Sequence, residues 1–167
     1  MRFWYMVPLL FPLVCPAQTV IFSESGRAEA TIEQHVNKAT QSVWLAMYQF
    51  TDVRLMVALT NRACKGVDVW IVADASESLS PHSCVPALRQ TLKSIYGVDR
   101  VKSMYGRDGK YSIMHDKFCV IDGREVITGS YNWTARADQA NWENLLLSSA
   151  RGVVSQYAKE FQVLWSR

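Results

Sequence analysis

The stretch Met114-His-Asp-Lys-Phe-Cys-Val-Ile-Asp-Gly-Arg-Glu-Val-Ile-Thr-Gly-Ser-Tyr-Asn-Trp-Thr134 carries both the fold and the chemistry of this chain. Phe118 to Ile121 is a short apolar run, Asp122-Gly123 is a turn dipeptide, and Glu125 to Thr128 resumes as strand formers. An Asp-Gly pair between two such runs predicts a hairpin. Side chains alternate along a strand, so His115 and Lys117, two apart, are expected on one face, and Ser130 and Asn132 on one face of the returning strand. The hairpin then brings an imidazole, an ammonium, a hydroxyl and an amide together. A phosphodiester is an anion that resists nucleophiles. Its cleavage needs a neutral attacking group and cations or donors at the non-bridging oxygens. His115 and Lys117 are groups of those two kinds.

Outward from the hairpin, helix and strand patterns alternate. Ser25 to Ala39 has apolar residues at 28, 32, 36 and 39 and predicts a helix. Ser42 to Phe50 is rich in strand formers. Asp52 is placed to cap a helix running to Lys65, with Gly66 as its stop. Val67 to Val72 predicts a buried strand that closes a right-handed β-α-β unit. Val85 to Tyr96 predicts a helix, Arg100 to Ser103 a short strand, Asn144 to Ser149 another strand, and Val153 to Trp165 a closing helix. The pattern predicts an α/β fold, one mixed β-sheet sandwiched by helices. At 167 residues, 49% hydrophobic and 20% charged, the chain suits a single domain with one ordinary core.

Three pieces in order, the H-x-K-x-x-x-x-D run from His115 to Asp122, the Gly129-Ser-Tyr-Asn-Trp-Thr134 run, and Glu143-Asn144, resemble the signature of the phospholipase D superfamily. Tyr48-Gln-Phe-Thr51 and Lys65 to Val72 are likewise similar, in order and spacing, to the short single-motif bacterial nucleases of that superfamily. The resemblance implies a phospholipase D-like fold and a phosphodiesterase in which His115 is the nucleophile, forming a phosphohistidine that water resolves. It implies that Lys117 and Asn132 hold the non-bridging oxygens, with Ser130 assisting. Glu143 is implied to accept a hydrogen bond from the far ring nitrogen of His115, fixing its tautomer. Asp122 stands between a direct catalytic role and that of a supporting turn residue, and the turn chemistry favours support. Only one copy of the motif is present, and neither His35 nor His82 is followed by a lysine two residues on. The resemblance therefore implies a homodimer with two His115 residues facing each other across a two-fold axis, one attacking and its mate acting as general acid.

No cofactor is implied. No His/Cys cluster has zinc-site spacing, so activity is expected to survive chelators. The leading expectation is a secreted or periplasmic endonuclease of low sequence specificity, cutting DNA foremost and RNA as a secondary substrate. A phospholipase D-type hydrolase of lipid head groups is the alternative, and a non-catalytic nucleic-acid or lipid binding module a third. The full set His115, Lys117, Asn132 and Glu143 argues against the module, because binding alone requires no nucleophile with an orienting acid. The formal net charge is +3, too mild for a dedicated duplex binder. Arg100, Lys102, Arg107 and Lys110 nevertheless cluster with Tyr105 and Tyr111 just before the motif. That composition suits either a phosphate backbone with stackable bases or an ordinary solvated loop. Trp133 suits a cleft wall, the core or a dimer contact equally.

Arg2, the apolar stretch Phe3 to Val14 and Cys-Pro-Ala17 predict a signal peptide over residues 1–17, leaving 18–167 as the catalytic domain. The apolar stretch is short for a transmembrane span and is broken by Pro8 and Pro12. Cleaved, the protein is not expected to associate stably with a membrane; uncleaved, the segment is an anchor. Export would place the cysteines in an oxidising compartment. Cys119 falls in the apolar strand and reads as a core residue, which leaves Cys64 and Cys84 as the expected disulfide.

Overall fold

The computed structural model describes residues 17–167, so the expected signal peptide lies outside the described residues except for Ala17. The strands are β1 (Gln18–Phe22), β2 (Ser42–Met47), β3 (Asp68–Asp74), β4 (Val101–Met104), β5 (Lys117–Ile121), β6 (Glu125–Gly129) and β7 (Asn144–Ser148). The helices are α1 (Ala28–Lys38), α2 (Val53–Cys64), α3 (Ala75–Ser78), α4 (Val85–Tyr96), α5 (Ala135–Gln139) and α6 (Arg151–Ser166). All seven strands form one sheet in the order β1-β7-β6-β5-β2-β3-β4. β2, β3 and β4 are parallel neighbours, and the remaining pairs are antiparallel. The sheet is mixed, as the sequence predicts.

Period-two alternation divides the apolar side chains between two layers. Val43, Leu45 and Met47 of β2, Val69 and Ile71 of β3, and Cys119 and Ile121 of β5 face a core shared with Ile32, Leu55, Leu59 and Leu88 of α1, α2 and α4. Ala46, Val72, Phe118, Val120 and Val126 point the other way and pack on Val154, Phe161 and Leu164 of α6. Both faces of the central strands are therefore covered, which is why β3 and β5 read as nearly continuous apolar runs.

Local chemistry sets the junctions. Asp52 caps α2 by accepting from the amides of Arg54 and Leu55 at 2.8 and 3.1 Å. In the β5–β6 hairpin, Asp122 and Gly123 both take positive φ, at 53° and 60°. The Arg124 amide closes the turn onto the Ile121 carbonyl at 2.9 Å. That two-positive turn matches the natural twist of the flanking strands.

Three differences from the sequence reading matter. β2 stops at Met47, because the chain turns aside: the Gln49 carbonyl accepts from the Trp133 amide, and the Thr51 and Asp52 amides donate to the Trp133 carbonyl, in the segment after β6. β1 carries no apolar alternation that would announce it: four of its five residues are exposed, and it pairs as an edge strand on β7. The expected Cys64–Cys84 disulfide is absent, and Cys64, Cys84 and Cys119 are free thiols. Cys64 ends α2, whereas the Cys84 amide donates to the Phe50 carbonyl near the start of α2. A twelve-residue helix separates those ends by roughly 18 Å, against the ~7 Å limit on Cα separation in a disulfide. Cys119 is the buried core residue expected, its thiol pKa pushed up by burial.

Candidate active site

Strand direction gathers the motif residues. β2 and β3 are parallel, so their C-termini, Met47 and Asp74, lie at one end of the sheet. Antiparallel pairing then puts the start of β5, the end of β6 and the start of β7 at that same end. Lys117 pairs with Met47, and Gly129 pairs with Leu145. His115, Lys117, Ser130, Asn132 and Glu143 are thus collected from three chain segments by topology.

His115 lies in the connection just before β5 and faces solvent, so the pleat does not align it with Lys117 as the sequence suggests. Two other contacts do. The Lys117 ammonium donates to the His115 carbonyl at 2.9 Å. Tyr48, the residue after β2, sets its ring edge-on to the His115 ring with centroids 4.6 Å apart, and the same ring lies 5.1 Å from the Lys117 ammonium. Burial lowers the Lys117 pKa, while the Glu143 and Asp116 carboxylates pull it back up. Glu143 is therefore close enough to act on Lys117 through its charge.

Ser130 follows Gly129, whose φ of 145° and close approach to the Asn144 carbonyl leave no room for a Cβ. The Ser130 hydroxyl donates to the Glu143 carboxylate, and Asn141 donates to the other oxygen of that group at 3.2 Å. The Ser130 oxygen also accepts from the Asn144 amide at 3.1 Å. Among the described residues the His115 ring has no hydrogen-bond partner, so the bond expected between Glu143 and His115 is not formed here. Glu143 is instead poised by Ser130 and Asn141, with lone pairs to spare. The Asn132 carbonyl oxygen accepts from the Gln49 amide at 3.3 Å, which leaves its NH2 group as a donor for an anion.

Asp122 is nowhere near this cluster. It follows β5, about 17 Å along the strand from Lys117. Its carboxylate accepts from the amides of Thr40, Gln41 and Ser42 and from the Thr40 hydroxyl, tying the hairpin to the α1–β2 loop. Burial raises its pKa, but those amides and the hydroxyl outweigh it and hold the carboxyl below its ordinary value. Asp122 is structural support. Trp133 is also resolved: it is buried, edge-on to Phe50 at 5.2 Å, and belongs to the core.

The basic cluster separates into two parts. The Arg100 guanidinium stacks on Trp70 at 3.9 Å and pairs with Asp68 at 2.5 Å, at the end of the sheet opposite His115. Lys102 donates to the Trp165 carbonyl at 2.8 Å. Both are engaged in holding β3, β4 and α6. Arg107 and Lys110, with Tyr105 and Tyr111, remain exposed on the β4–β5 connection that leads into His115. His35 bonds Glu125 at 2.6 Å; His82 is exposed in a loop.

Asp74 and Glu77 contribute to this end of the sheet and were not anticipated. The available signal was an acid closing a buried parallel strand, since sites in open α/β sheets form at the carboxyl ends of strands. Among the described residues no group of three or more His, Cys, Asp or Glu side chains is placed to hold a metal ion.

A family model described as cardiolipin synthase, PLD-like domain, matches residues 32–165. The chain is 32% identical over 130 residues to a phospholipase D of Rickettsia prowazekii, covering 78% of this chain and 58% of that protein. It is 33% identical over 127 residues to the mitochondrial cardiolipin hydrolase of Xenopus laevis, covering 76% and 56% respectively. The chain thus spans less than two thirds of the length of these relatives. Among solved structures, Nuc from Salmonella typhimurium, a phospholipase D family member, superposes with a TM-score of 0.79 at 26% identity, over 91% of this chain and 95% of that one. NucT from Helicobacter pylori gives 0.78 at 22% identity, over 91% and 97%. A motif collected at one end of a mixed seven-stranded sheet, a family model spanning most of the sequence, and a fold shared with Nuc over 91% of this chain place it in the phospholipase D-like family.

Proposed function

We propose that this phosphodiesterase is an exported, metal-independent endonuclease of low sequence specificity that cuts DNA or RNA as a homodimer. The observation that carries the chemistry is the solvent-facing imidazole of His115 held beside the Lys117 ammonium, with the Asn132 amide free to donate and Glu143 within range. The near end-to-end correspondence with Nuc supports the nucleic-acid substrate. So do Arg107, Lys110, Tyr105 and Tyr111 on the loop leading to His115, cations and stacking groups suited to a sugar-phosphate chain. Export rests on the apolar stretch before Gln18.

In the first step one His115 nitrogen attacks phosphorus and the bond to the leaving oxygen breaks. Lys117 and Asn132 take up charge on the non-bridging oxygens, and the partner's His115 gives its proton to the leaving oxygen. In the second, water attacks the phosphohistidine, its proton returns to the partner's His115, and the P–N bond breaks. Glu143, steadied by Ser130 and Asn141, is the acid assigned to the far nitrogen of His115 once substrate closes the site, since such bonds are often loose in empty enzymes.

A second reading, hydrolysis of phospholipid head groups, is favoured by one observation. Leu79, Tyr111 and Trp142, at the His115 end of the sheet, are 81%, 84% and 83% exposed, and large apolar groups around a site suit a lipid surface. The test incubates the protein and its His115→Ala variant with plasmid DNA, with RNA and with cardiolipin vesicles, each with and without EDTA. Nucleic-acid cleavage that resists EDTA and is lost in the variant supports the nuclease. Head-group release without nucleic-acid cleavage replaces it with the lipid reading.

A further inference from the structure

The peptide that delivers His115 is pinned from a distance. The amide of Met114, the preceding residue, donates to one oxygen of Asp74 at 2.9 Å. Asp74 ends β3 and is completely buried. Its other oxygen accepts from the Glu77 amide at 3.0 Å, starting the four-residue helix α3. The Glu77 carboxylate then accepts from the Tyr48 hydroxyl at 3.2 Å and from the Gln49 side chain at 3.1 Å. Tyr48 closes the circuit, because its ring touches both His115 and Lys117.

Stability alone gives little reason for this arrangement. Burying a carboxylate is costly unless its oxygens are satisfied, and a well-packed apolar residue in its place is often as stable or more so. Capping α3 uses only one oxygen of Asp74. The second crosses forty positions of sequence to the residue beside the nucleophile. Burial, followed by the Glu77 charge, raises the Tyr48 phenol pKa, so the hydroxyl stays protonated and donates.

We propose that Asp74, Glu77 and Tyr48 are positioning residues for His115, Asp74 fixing its backbone through Met114 and Glu77 fixing its ring through Tyr48. The inference rests on the reading of His115 as the nucleophile. None of the three touches phosphorus. They set the approach of the imidazole, and misplacing a reacting group by about 1 Å costs on the order of 10²-fold in rate.

The test uses full-length Glu77→Ala, Glu77→Gln, Asp74→Asn and His115→Ala. Turnover of bis(para-nitrophenyl) phosphate is followed together with the histidine ring resonances by NMR. Glu77→Ala and Asp74→Asn should lower kcat by about 10-fold or more with KM changed by no more than about 2-fold, and Glu77→Gln should recover part of the loss. The His115 ring resonances should move in both variants while those of His35 and His82 stay in place. Folded variants with wild-type kcat and unmoved His115 resonances would overturn the proposal. Should Asp74→Asn fail to fold, Glu77→Ala decides alone, because Glu77 is only half-buried on a short surface helix. Wild-type turnover by His115→Ala would defeat the nucleophile itself, and with it any catalytic use of this positioning network.

Discussion

Lys117 is a cation that gives up its proton more readily than a surface lysine, because burial lowers its pKa and only the Glu143 and Asp116 charges oppose that. Phosphate capture needs the ammonium, so the alkaline limb of kcat/KM should set in below the ordinary lysine value of about 10.4. Glu143 raises the Lys117 pKa, so Glu143→Gln should move that limb to lower pH while also lowering the rate. A pH–rate profile checks both, and an unmoved limb would mean that Lys117 does not limit the alkaline side. Ser130→Ala removes one of the two side-chain donors to Glu143 and should lower kcat by about 10-fold or more if Glu143 must be held to orient His115; a normal kcat would make Ser130 dispensable. His115, Lys117, Ser130, Asn132 and Glu143 were legible because each sits in a short sequence pattern whose side chains match one chemistry. Asp74, Glu77 and Tyr48 form no such pattern together. They meet His115 only because parallel β2 and β3 end beside the start of β5.

The β5–β6 hairpin shows why a motif residue can be essential to a strand without serving its site. Asp122 bonds three consecutive amides across about eighty residues of sequence, and this carboxylate anchors the far end of β5 to the α1–β2 loop. Asp122→Asn retains a side chain that tolerates positive φ but turns one acceptor into a donor facing an amide. It should cost about 1–3 kcal/mol of stability, with kcat per folded molecule unchanged. The folded pKa of Asp122 lies below the unfolded one, so its contribution is complete above about pH 3.9 and is lost as pH falls through the folded value. The gap between wild type and variant in urea melts should therefore narrow in acid. An equal gap at all pH values would deny the carboxylate its charge-dependent role.

Across the whole molecule the decisive quantity is the number of His115 residues at the site. On the proposed mechanism the motif of each chain provides the nucleophile, and the leaving oxygen takes its proton from the partner's His115. Sedimentation should accordingly show a dimer, and activity per chain should fall on dilution below its dissociation constant. A monomer with full activity would transfer the proton-donor role to another group. The thiols give an independent check on the fold. With Cys64 and Cys84 at opposite ends of α2, reductant should leave the melting temperature unchanged, and three thiols should titrate after unfolding of the chain lacking residues 1–17.

The sequence by itself determined what depends on neighbours along the chain. It specified the Asp-Gly turn, the Asp52 cap, the apolar runs of the buried central strands, and the residue types of a phosphodiester site, because turn, cap and strand propensity are local physics. Tertiary structure decided the rest. β1 exists only through its pairing with β7, since its own residues are mostly exposed. Arg100 and Lys102 left the candidate substrate surface because Asp68, Trp70 and a helix C-terminus claimed them. Asp122 moved from the site to its support because strand length separates it from Lys117, and Tyr48 rather than the pleat brought His115 and Lys117 together. Each of these outcomes depends on which strands pair and in which direction, a long-range choice set by burying two faces of one sheet at once.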